Sequence, residues 1–233
     1  MITEKEKKEK DLVKNKIEVI LNKAKELKET FGFYPSILIE GRAGIGKSQS
    51  VLRWAARNNF KVIDIRLINY DIGDLMLKVP DGDSLKNRYV SWLKKLENTK
   101  ENVILLLDEI DKAEPTIQRL AYQLVLDREV EGLKLSDNVM IVAIQNQTED
   151  GIFNDLRREK PLWDRFVFRV RVDLDLEEFL DYAYSNFKTP ELIVFLEKNR
   201  DLIYVDKEEE LVVTPRRWEF LDKVLQTCDP DDL

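Results

Sequence analysis

Residues 41–48 of the chain form the stretch Gly41-Arg42-Ala43-Gly44-Ile45-Gly46-Lys47-Ser48. This stretch follows a short apolar run, 37–39, that ends in Glu40, and it leads into residues 50–57, whose apolar spacing is that of a helix. A strand, a glycine-rich turn ending in Lys-Ser and a helix are together the context that a phosphate-binding P-loop requires. The pattern therefore predicts that the chain binds a nucleoside triphosphate.

The residue types of this stretch fit the chemistry of a phosphate site. Glycines let backbone N–H groups turn inward around a phosphate, and the following helix N-terminus adds free N–H groups and its dipole. Lys47 would neutralise the β- and γ-phosphates, and the Ser48 hydroxyl would bind Mg²⁺. We expect the nucleotide-binding segment to run from Gly41 to Gln49. The alternative is an ordinary glycine turn, which the flanking strand and helix disfavour.

Composition and charge limit the class of protein. The chain has 233 residues, 43% of them apolar and 36% charged, which suits one large domain or a core with a small second domain. The net charge of −7 argues against broad binding to nucleic acid but leaves a local basic patch open. The lone Cys228, the lack of an apolar signal segment and the short apolar runs predict a cytoplasmic protein without membrane insertion.

A pair of carboxylates follows the continuous apolar run 103–107. Such a run is typical of a parallel strand that is buried on both faces. It ends in Asp108 and Glu109, an arrangement that resembles a Walker B motif. Asp108 would hold Mg²⁺, directly or through water, and Glu109 would polarise the attacking water as general base. The alternative is a strand end with two solvated acids, which the upstream glycine-rich stretch disfavours.

Three polar amides, Gln145-Asn146-Gln147, follow a further predicted buried strand, 139–144. Polar residues at the carboxyl end of a strand point to the crevice at the edge of a parallel sheet, where ligands bind. We expect an amide of this group to hold the attacking water or the γ-phosphate. A simple strand-ending turn is the alternative.

The remaining chain alternates between predicted helices and strands, which implies a parallel sheet covered on both faces. Helices are predicted over 3–30, 84–98, 113–127, 176–187, 190–199 and 215–226, and strands over 37–39, 61–66, 103–107, 139–144 and 166–172. Residues 67–83 read as a loop and 128–135 as a small hairpin. We predict three regions: an amphipathic helix (1–30), an α/β core (31–172) and a helical domain (173–233). The apolar stripe of the first helix either docks on the core or contacts a partner.

Two arginines are predicted at the start of the final helix. Thr214 is a good N-cap residue and Pro215 a good first helical residue, so Arg216 and Arg217 fall in the first turn. Cations there oppose the helix dipole, at a cost of ~0.3–1 kcal/mol each. An anion that faced one of these arginines would compensate for this cost. Two solvated arginines are the alternative.

These elements, in this order, resemble the AAA+ ATPases and, more narrowly, their MoxR-like branch. The resemblance covers about residues 33–226. It rests on the stretches GRAGIGKS (41–48), LDEIDKA (107–113), AIQN (143–146), WDRF (163–166) and TPR (214–216). MoxR-like proteins have an Asp-Glu-Ile-Asn-Arg-Ala type Walker B motif, a Thr-Gln-Asn sensor 1, a Leu-Asp-Arg-Phe segment and a Ser-Pro-Arg sensor 2. This chain departs from that pattern at Asp111-Lys112, Ile144 and Trp163.

The resemblance implies a fold and a set of roles. The fold would be a P-loop αβα sandwich with a five-stranded parallel sheet and a small C-terminal helical lid, assembled into a ring that is commonly hexameric. The cofactors would be ATP and Mg²⁺. Asn146 would be sensor 1, Arg216 would be sensor 2, and Arg165 would be the arginine finger that reaches a neighbouring subunit's γ-phosphate. The pair Arg157-Arg158 competes with Arg165 for that role.

The resemblance also implies an activity. The protein would hydrolyse ATP to ADP and phosphate, with Lys47, Glu109 and the sensor and finger residues taking part, and would act in a chaperone-like way to remodel or assemble a partner protein complex. One alternative is an ATP-gated binding or scaffold module with little turnover. Another is a DNA-acting AAA+ ATPase of the initiator or loader type. The sequence does not identify the client protein.

Overall fold

The structure of the protein, a computed structural model, describes residues 16–146, 165–207 and 211–227. It divides into two compact units. The first comprises Met1–Glu40 and Lys47–Val172, and the second comprises Gly41–Gly46 and Asp173–Leu233. The glycine-rich turn at 41–46 is therefore grouped with the C-terminal helices.

The helices and strands of the described residues are listed here in chain order. The elements from the first described helix to the last strand of the first unit are α1 (Lys16–Phe31), β1 (Ile37–Gly41), α2 (Lys47–Arg57), β2 (Lys61–Arg66), α3 (Ile72–Leu75), β3 (Met76–Asp81), β4 (Ser84–Tyr89), α4 (Ser91–Glu97), β5 (Val103–Asp108), α5 (Pro115–Asp127), β6 (Glu129–Val130), β7 (Leu133–Lys134), β8 (Val139–Asn146) and β9 (Phe168–Arg171). The C-terminal elements are α6 (Leu176–Asn186), α7 (Pro190–Lys198), β10 (Val205–Lys207), β11 (Leu211–Val213) and α8 (Pro215–Leu225).

A five-stranded parallel sheet in the order β2-β5-β8-β1-β9 forms the centre of the first unit. This confirms the predicted α/β fold with five parallel strands. Strands β5 and β8 lie in the interior of the sheet, and their continuous apolar sequences are buried almost throughout. Because β8 lies between β5 and β1, it separates the strand that ends in Asp108 from the strand that leads into the glycine-rich turn.

Helix α1 docks on its own chain through the predicted apolar stripe. Its buried residues are Ile17, Leu21 and Ala24, and the indole Nε1 of Trp54 on α2 donates a hydrogen bond to Asn22 Oδ1 at 2.9 Å. The docking alternative therefore holds for residues 16–31. Residues 3–15 of the predicted helix lie outside the described residues.

The predictions for residues 67–90 are wrong. Instead of a loop and the first half of a long helix, β3 and β4 form an antiparallel hairpin that turns at Gly82, whose φ is +62°. The short helix α3 precedes this hairpin, and of the helix predicted over 84–98 only Ser91–Glu97 is helical, in α4. Leu85 and Tyr89 have a spacing that fits a helix, but both lie in β4, where they face Pro80 and Met76 across the hairpin. The two-residue loop Gly82-Asp83 that closes the hairpin is the stronger local signal.

In the described residues of the second unit, three helices pack around their own small apolar core, which includes Leu180, Ala183, Leu196 and Ile203. Asp222 of α8 is buried, and its carboxylate accepts hydrogen bonds from the backbone N–H groups of Lys188 and Thr189, immediately before α7. The short β10–β11 hairpin was missed because three-residue strands show too little alternation to be recognised. No helix in the described part of the chain is long and apolar enough to span a membrane.

Candidate functional site

Four of the predicted site residues of the first unit meet at the carboxyl ends of its parallel strands. Asp108 ends β5, Asn146 ends β8, and Lys47 and Ser48 begin α2. The sheet order explains the meeting, since adjacent parallel strands deliver their carboxyl ends to the same edge. Residues separated by 99 positions along the chain are thereby brought into hydrogen-bonding contact.

Lys47 is buried, with 6% of its surface exposed, and its Nζ donates a 2.7 Å hydrogen bond to Asn146 Oδ1. A buried ammonium group needs compensation for its lost hydration. A phosphate would be a stronger acceptor for this cation. The pair therefore forms a cationic position at the edge of the sheet, with the amide beside it.

Ser48 and Asp108 provide two oxygen ligands side by side. The Ser48 hydroxyl donates to Asp108 Oδ2 at 2.8 Å, and the other carboxylate oxygen, Oδ1, accepts from the backbone N–H of Glu109 at 2.9 Å. No cluster of three or more Asp, Glu, Cys or His residues suited to a metal ion occurs among the described residues. This donor set fits Mg²⁺, which binds proteins through one or two oxygen ligands and takes the rest from phosphates and water.

Glu109 has a left-handed backbone conformation, with φ 54° and ψ 42°, which is uncommon for a residue other than glycine. Its Oε1 accepts a hydrogen bond from Lys112 Nζ at 2.9 Å and a weak one, at 3.5 Å, from the Asn146 side-chain amide. About a quarter of the Glu109 side chain is exposed. The carboxylate thus lies within reach of the amide and of solvent, as a base that acts on water must.

Two further carboxylates near this edge were not identified from the sequence. Burial, reinforced by the nearby charge of Asp108, raises the pKa of Asp64 on β2, and Arg66 opposes that rise. Burial also raises the pKa of Asp111, although backbone N–H groups, including that of Asn146, stabilise its charged form. Asp64 lies on the strand next to β5, so only the register of the sheet reveals its position.

The glycine-rich turn belongs to the second unit and contacts residues near the C-terminal helix. Gly44 and Gly46 have positive φ angles of 76° and 93°, which explains the need for glycine at both positions. Gly44 packs against the side chain of Thr214, and the Arg42 guanidinium lies over the ring of Tyr204. The remaining residues of the turn, Gly41, Ala43 and Ile45, fall in the same unit.

Thr214 occupies the N-cap position of α8, as predicted, and has extended backbone geometry. Within the described part of the chain its side chain makes no capping hydrogen bond. Arg216 and Arg217 lie in the first turn of α8 and are both exposed. Arg216 thus follows, by two residues, the threonine that packs on the glycine-rich turn.

The structure does not bring Arg165 to the site of its own chain. Its carbonyl accepts a hydrogen bond from the Ser36 hydroxyl at 3.4 Å, and Ser36 lies just before β1. Arg165 is therefore at the amino-terminal edge of the sheet, separated from the opposite edge by the five residues of β1, or about 17 Å. The competing pair Arg157-Arg158 and Trp163 lie outside the described residues.

Comparisons with known proteins give a limited result. No protein-family model and no curated protein sequence matches this chain. Similar solved structures include the RuvB Holliday junction branch migration motor of Thermotoga maritima, with 16% identity and a TM-score of 0.46, covering 80% of this chain and 61% of that one. They also include NtrX from Brucella abortus, with 18% identity and a TM-score of 0.49, covering 91% of this chain and 52% of that one. The chain thus spans less than two thirds of the length of either, and similarity at this level assigns no activity.

Proposed function

We propose that the chain is a Mg²⁺-dependent AAA+ ATPase of the MoxR-like type, which forms a ring and uses ATP turnover to remodel or assemble a partner protein complex. The observation that carries this proposal is the meeting of Lys47, Ser48, Asp108, Glu109 and Asn146 at one edge of the sheet. A cation, a pair of oxygen ligands, a carboxylate and an amide are the parts that phosphoryl transfer to water requires.

Each of these side chains has a role in the proposed reaction. The backbone N–H groups of residues 41–46 and the Lys47 ammonium would bind the β- and γ-phosphates. Ser48 and Asp108 would hold Mg²⁺, which neutralises the charge that develops on the phosphate oxygens. Glu109 would accept the proton of the attacking water, and the Asn146 amide would orient that water or the γ-phosphate.

The ring is proposed because Arg165 lies far from Lys47 and Asp108 of its own chain, so that an arginine finger at this position would have to act on a neighbouring subunit. Arg165 lies at the edge of the sheet opposite to Lys47 and Asp108, so it cannot act on a nucleotide bound to its own subunit. An arginine finger that acts in trans contributes about 10³–10⁵ in rate. We therefore propose that a monomer binds ATP but hydrolyses it very slowly.

Arg216 is proposed as the sensor 2 arginine. It is exposed at the N-terminus of α8, close in sequence to Thr214, which packs on the glycine-rich turn. Arg217, its exposed neighbour, is the matched control. Arg216→Ala should lower ATP turnover at least about tenfold through loss of a charged contact, whereas Arg217→Ala should change it less than about twofold. If the two substitutions had equal effects on ATP turnover, Arg216 would not be part of the site.

An ATP-gated binding module is a second candidate, and one observation favours it. The Glu109 carboxylate is paired with the Lys112 ammonium at 2.9 Å, and this pairing competes with its action on water. A protein that used ATP only as a switch would tolerate such a pair. Turnover measurements separate the two candidates.

The test measures ATP turnover per subunit while the protein concentration is raised. The rate should climb with concentration as subunits associate and should vanish in Glu109→Gln. A mixture of Glu109→Gln and Arg165→Ala subunits should regain activity, because each Glu109→Gln subunit supplies an arginine to an intact neighbouring site. Arg119→Ala, a change at an exposed arginine on α5, is the control. A rate near zero at all concentrations, with ATP still bound, would contradict the ATPase and leave the switch.

A further inference from the structure

The position of Gly44 leaves no room for a side chain. A Cβ atom built on Gly44 would lie 2.8 Å from Thr214 Cβ, 2.9 Å from Thr214 Oγ1 and 3.0 Å from Thr214 Cγ2. At Gly46, in the same turn, no described residue lies within 4 Å of such an atom. Both glycines have positive φ angles, so backbone conformation alone explains Gly46. Gly44 is required for a second reason, the threonine packed against it.

A second contact joins the turn to the same unit. The guanidinium carbon of Arg42 lies 5.3 Å from the centroid of the Tyr204 ring, within the range of a cation–π interaction. Tyr204 is partly buried, between the short helical turn at 200–202 and β10. Two non-adjacent positions of the turn are therefore held by side chains from residues 204 and 214.

The Thr214 side chain is available for this contact because it does not cap its own helix. An N-cap threonine usually accepts a hydrogen bond from the backbone N–H two or three residues later. No such bond is present for Thr214 among the described residues; its carbonyl instead accepts from the backbone N–H of Arg217 at 2.8 Å. Its methyl and hydroxyl groups lie against Gly44.

A turn with three glycines in six residues loses much conformational entropy when its N–H groups converge on a phosphate. Contacts that hold the turn in shape before the nucleotide arrives reduce that cost and strengthen binding. We propose that Thr214 and Tyr204 are positioning residues for the nucleotide, acting through Gly44 and Arg42. This inference rests on the proposed nucleotide-binding function of the turn, and it makes nucleotide affinity depend on the C-terminal unit.

The first test is a double-mutant cycle on the full chain, with N-methylanthraniloyl-ADP and Mg²⁺ as the fluorescent probe. Gly44→Ala should weaken binding through both strain and overlap with Thr214. Adding Thr214→Gly to the Gly44→Ala variant should raise its affinity for the probe at least about fivefold, because the second change removes the overlap. Glycine remains an acceptable N-cap at position 214. In Gly46→Ala, where no overlap exists, Thr214→Gly should restore less than about twofold. The melting temperature of each variant, followed by circular dichroism, shows whether it is folded.

The second test does not depend on Gly44→Ala folding. Arg42→Ala and Tyr204→Ala should each weaken probe binding about two- to fivefold, and the double variant should be no weaker than either single one. Tyr204→Phe should bind as the wild type does, because the ring remains.

The outcomes separate the inference from the function on which it rests. A wild-type chain that fails to bind the probe would overturn the proposed nucleotide site. If the wild-type chain binds the probe, either of two results would overturn the inference alone. One is an equal restoration of binding by Thr214→Gly in Gly44→Ala and in Gly46→Ala, and the other is additive effects of the substitutions at positions 42 and 204.

Discussion

Replacing Arg128 with methionine should destabilise the first unit substantially. Arg128 follows α5, is only 7% exposed, and donates hydrogen bonds from Nη2 to the carbonyls of Ser136 at 2.8 Å and Val139 at 2.7 Å. A weaker bond joins its Nη1 to the Tyr34 carbonyl at 3.4 Å, and the guanidinium lies 5.0 Å from the Phe33 ring. Burial lowers the pKa of Arg128, which reflects the cost of taking the charge out of water.

The size of the effect follows from two opposing contributions. Each strong bond from a charged donor contributes about 1.5–3 kcal/mol, and a buried carbonyl left without a donor costs about 1–3 kcal/mol. Removing the charge also removes its desolvation penalty, which returns part of that loss. We expect Arg128→Met to lower the free energy of unfolding by about 2–4 kcal/mol, a large share of the roughly 5–15 kcal/mol typical of a folded protein.

Urea unfolding followed by circular dichroism, without nucleotide, measures this change. Arg119→Met is the matched control, because Arg119 lies on α5 but is exposed, and its Nε donates to the carbonyl of Pro115 in its own helix. The control should change the free energy of unfolding by less than about 0.5 kcal/mol. If Arg128→Met were as stable as the control, the buried guanidinium would not hold the segments before β1 and β8 together, and the reasoning would fail.

Three further predictions concern single residues. Burial raises the pKa of Asp111 above its ordinary 3.8, so ionisation of this carboxyl opposes folding. The stability of the wild type should therefore fall as the pH rises through and above 3.8, and Asp111→Asn should lack this loss. Melting temperatures that changed equally with pH in both proteins from pH 4 to 8 would contradict this prediction. Asn146→Ala should lower ATP turnover about 10²–10³-fold but change ADP affinity less than tenfold, and equal losses in both measurements would make the amide merely structural. Trp54 is only 1% exposed, so Trp54→Ala should lower the free energy of unfolding in urea by about 3–5 kcal/mol. A loss below about 1 kcal/mol would show that the docking of α1 does not depend on Trp54.

Local sequence signals predicted the parts of the fold that depend on local chemistry. The apolar runs before Asp108 and Asn146 indicated buried parallel strands, and parallel strands necessarily bring their carboxyl ends together. The meeting of Asp108 and Asn146 at one edge of the sheet could therefore be expected, even though the sequence gives no distance. The hairpin of β3 and β4 is hard to predict because the apolar spacing of its second strand also fits a helix and competes with the turn signal at Gly82.

Several contacts that could not be predicted join residues far apart in the chain through side chains. The pairs Thr214 with Gly44 and Tyr204 with Arg42 depend on the packing of the second unit, which no local pattern encodes. The buried carboxylate of Asp222, which bonds the N–H groups before α7, appears in the sequence as an ordinary exposed helix residue. Lys112 was noted only as a departure from a motif, although it pairs with Glu109.

The central position of β8 has a consequence for the order of events during synthesis. Asn146 reaches Lys47 only after β8 has inserted between β1 and β5, two strands that leave the ribosome earlier. A partly made chain that stops before this strand has the glycine-rich turn and the paired carboxylates but lacks the amide and the strand that aligns them. Contacts of such long sequence separation form late and slowly. A nucleotide that binds only the finished sheet would then stabilise complete chains and leave truncated ones to be degraded.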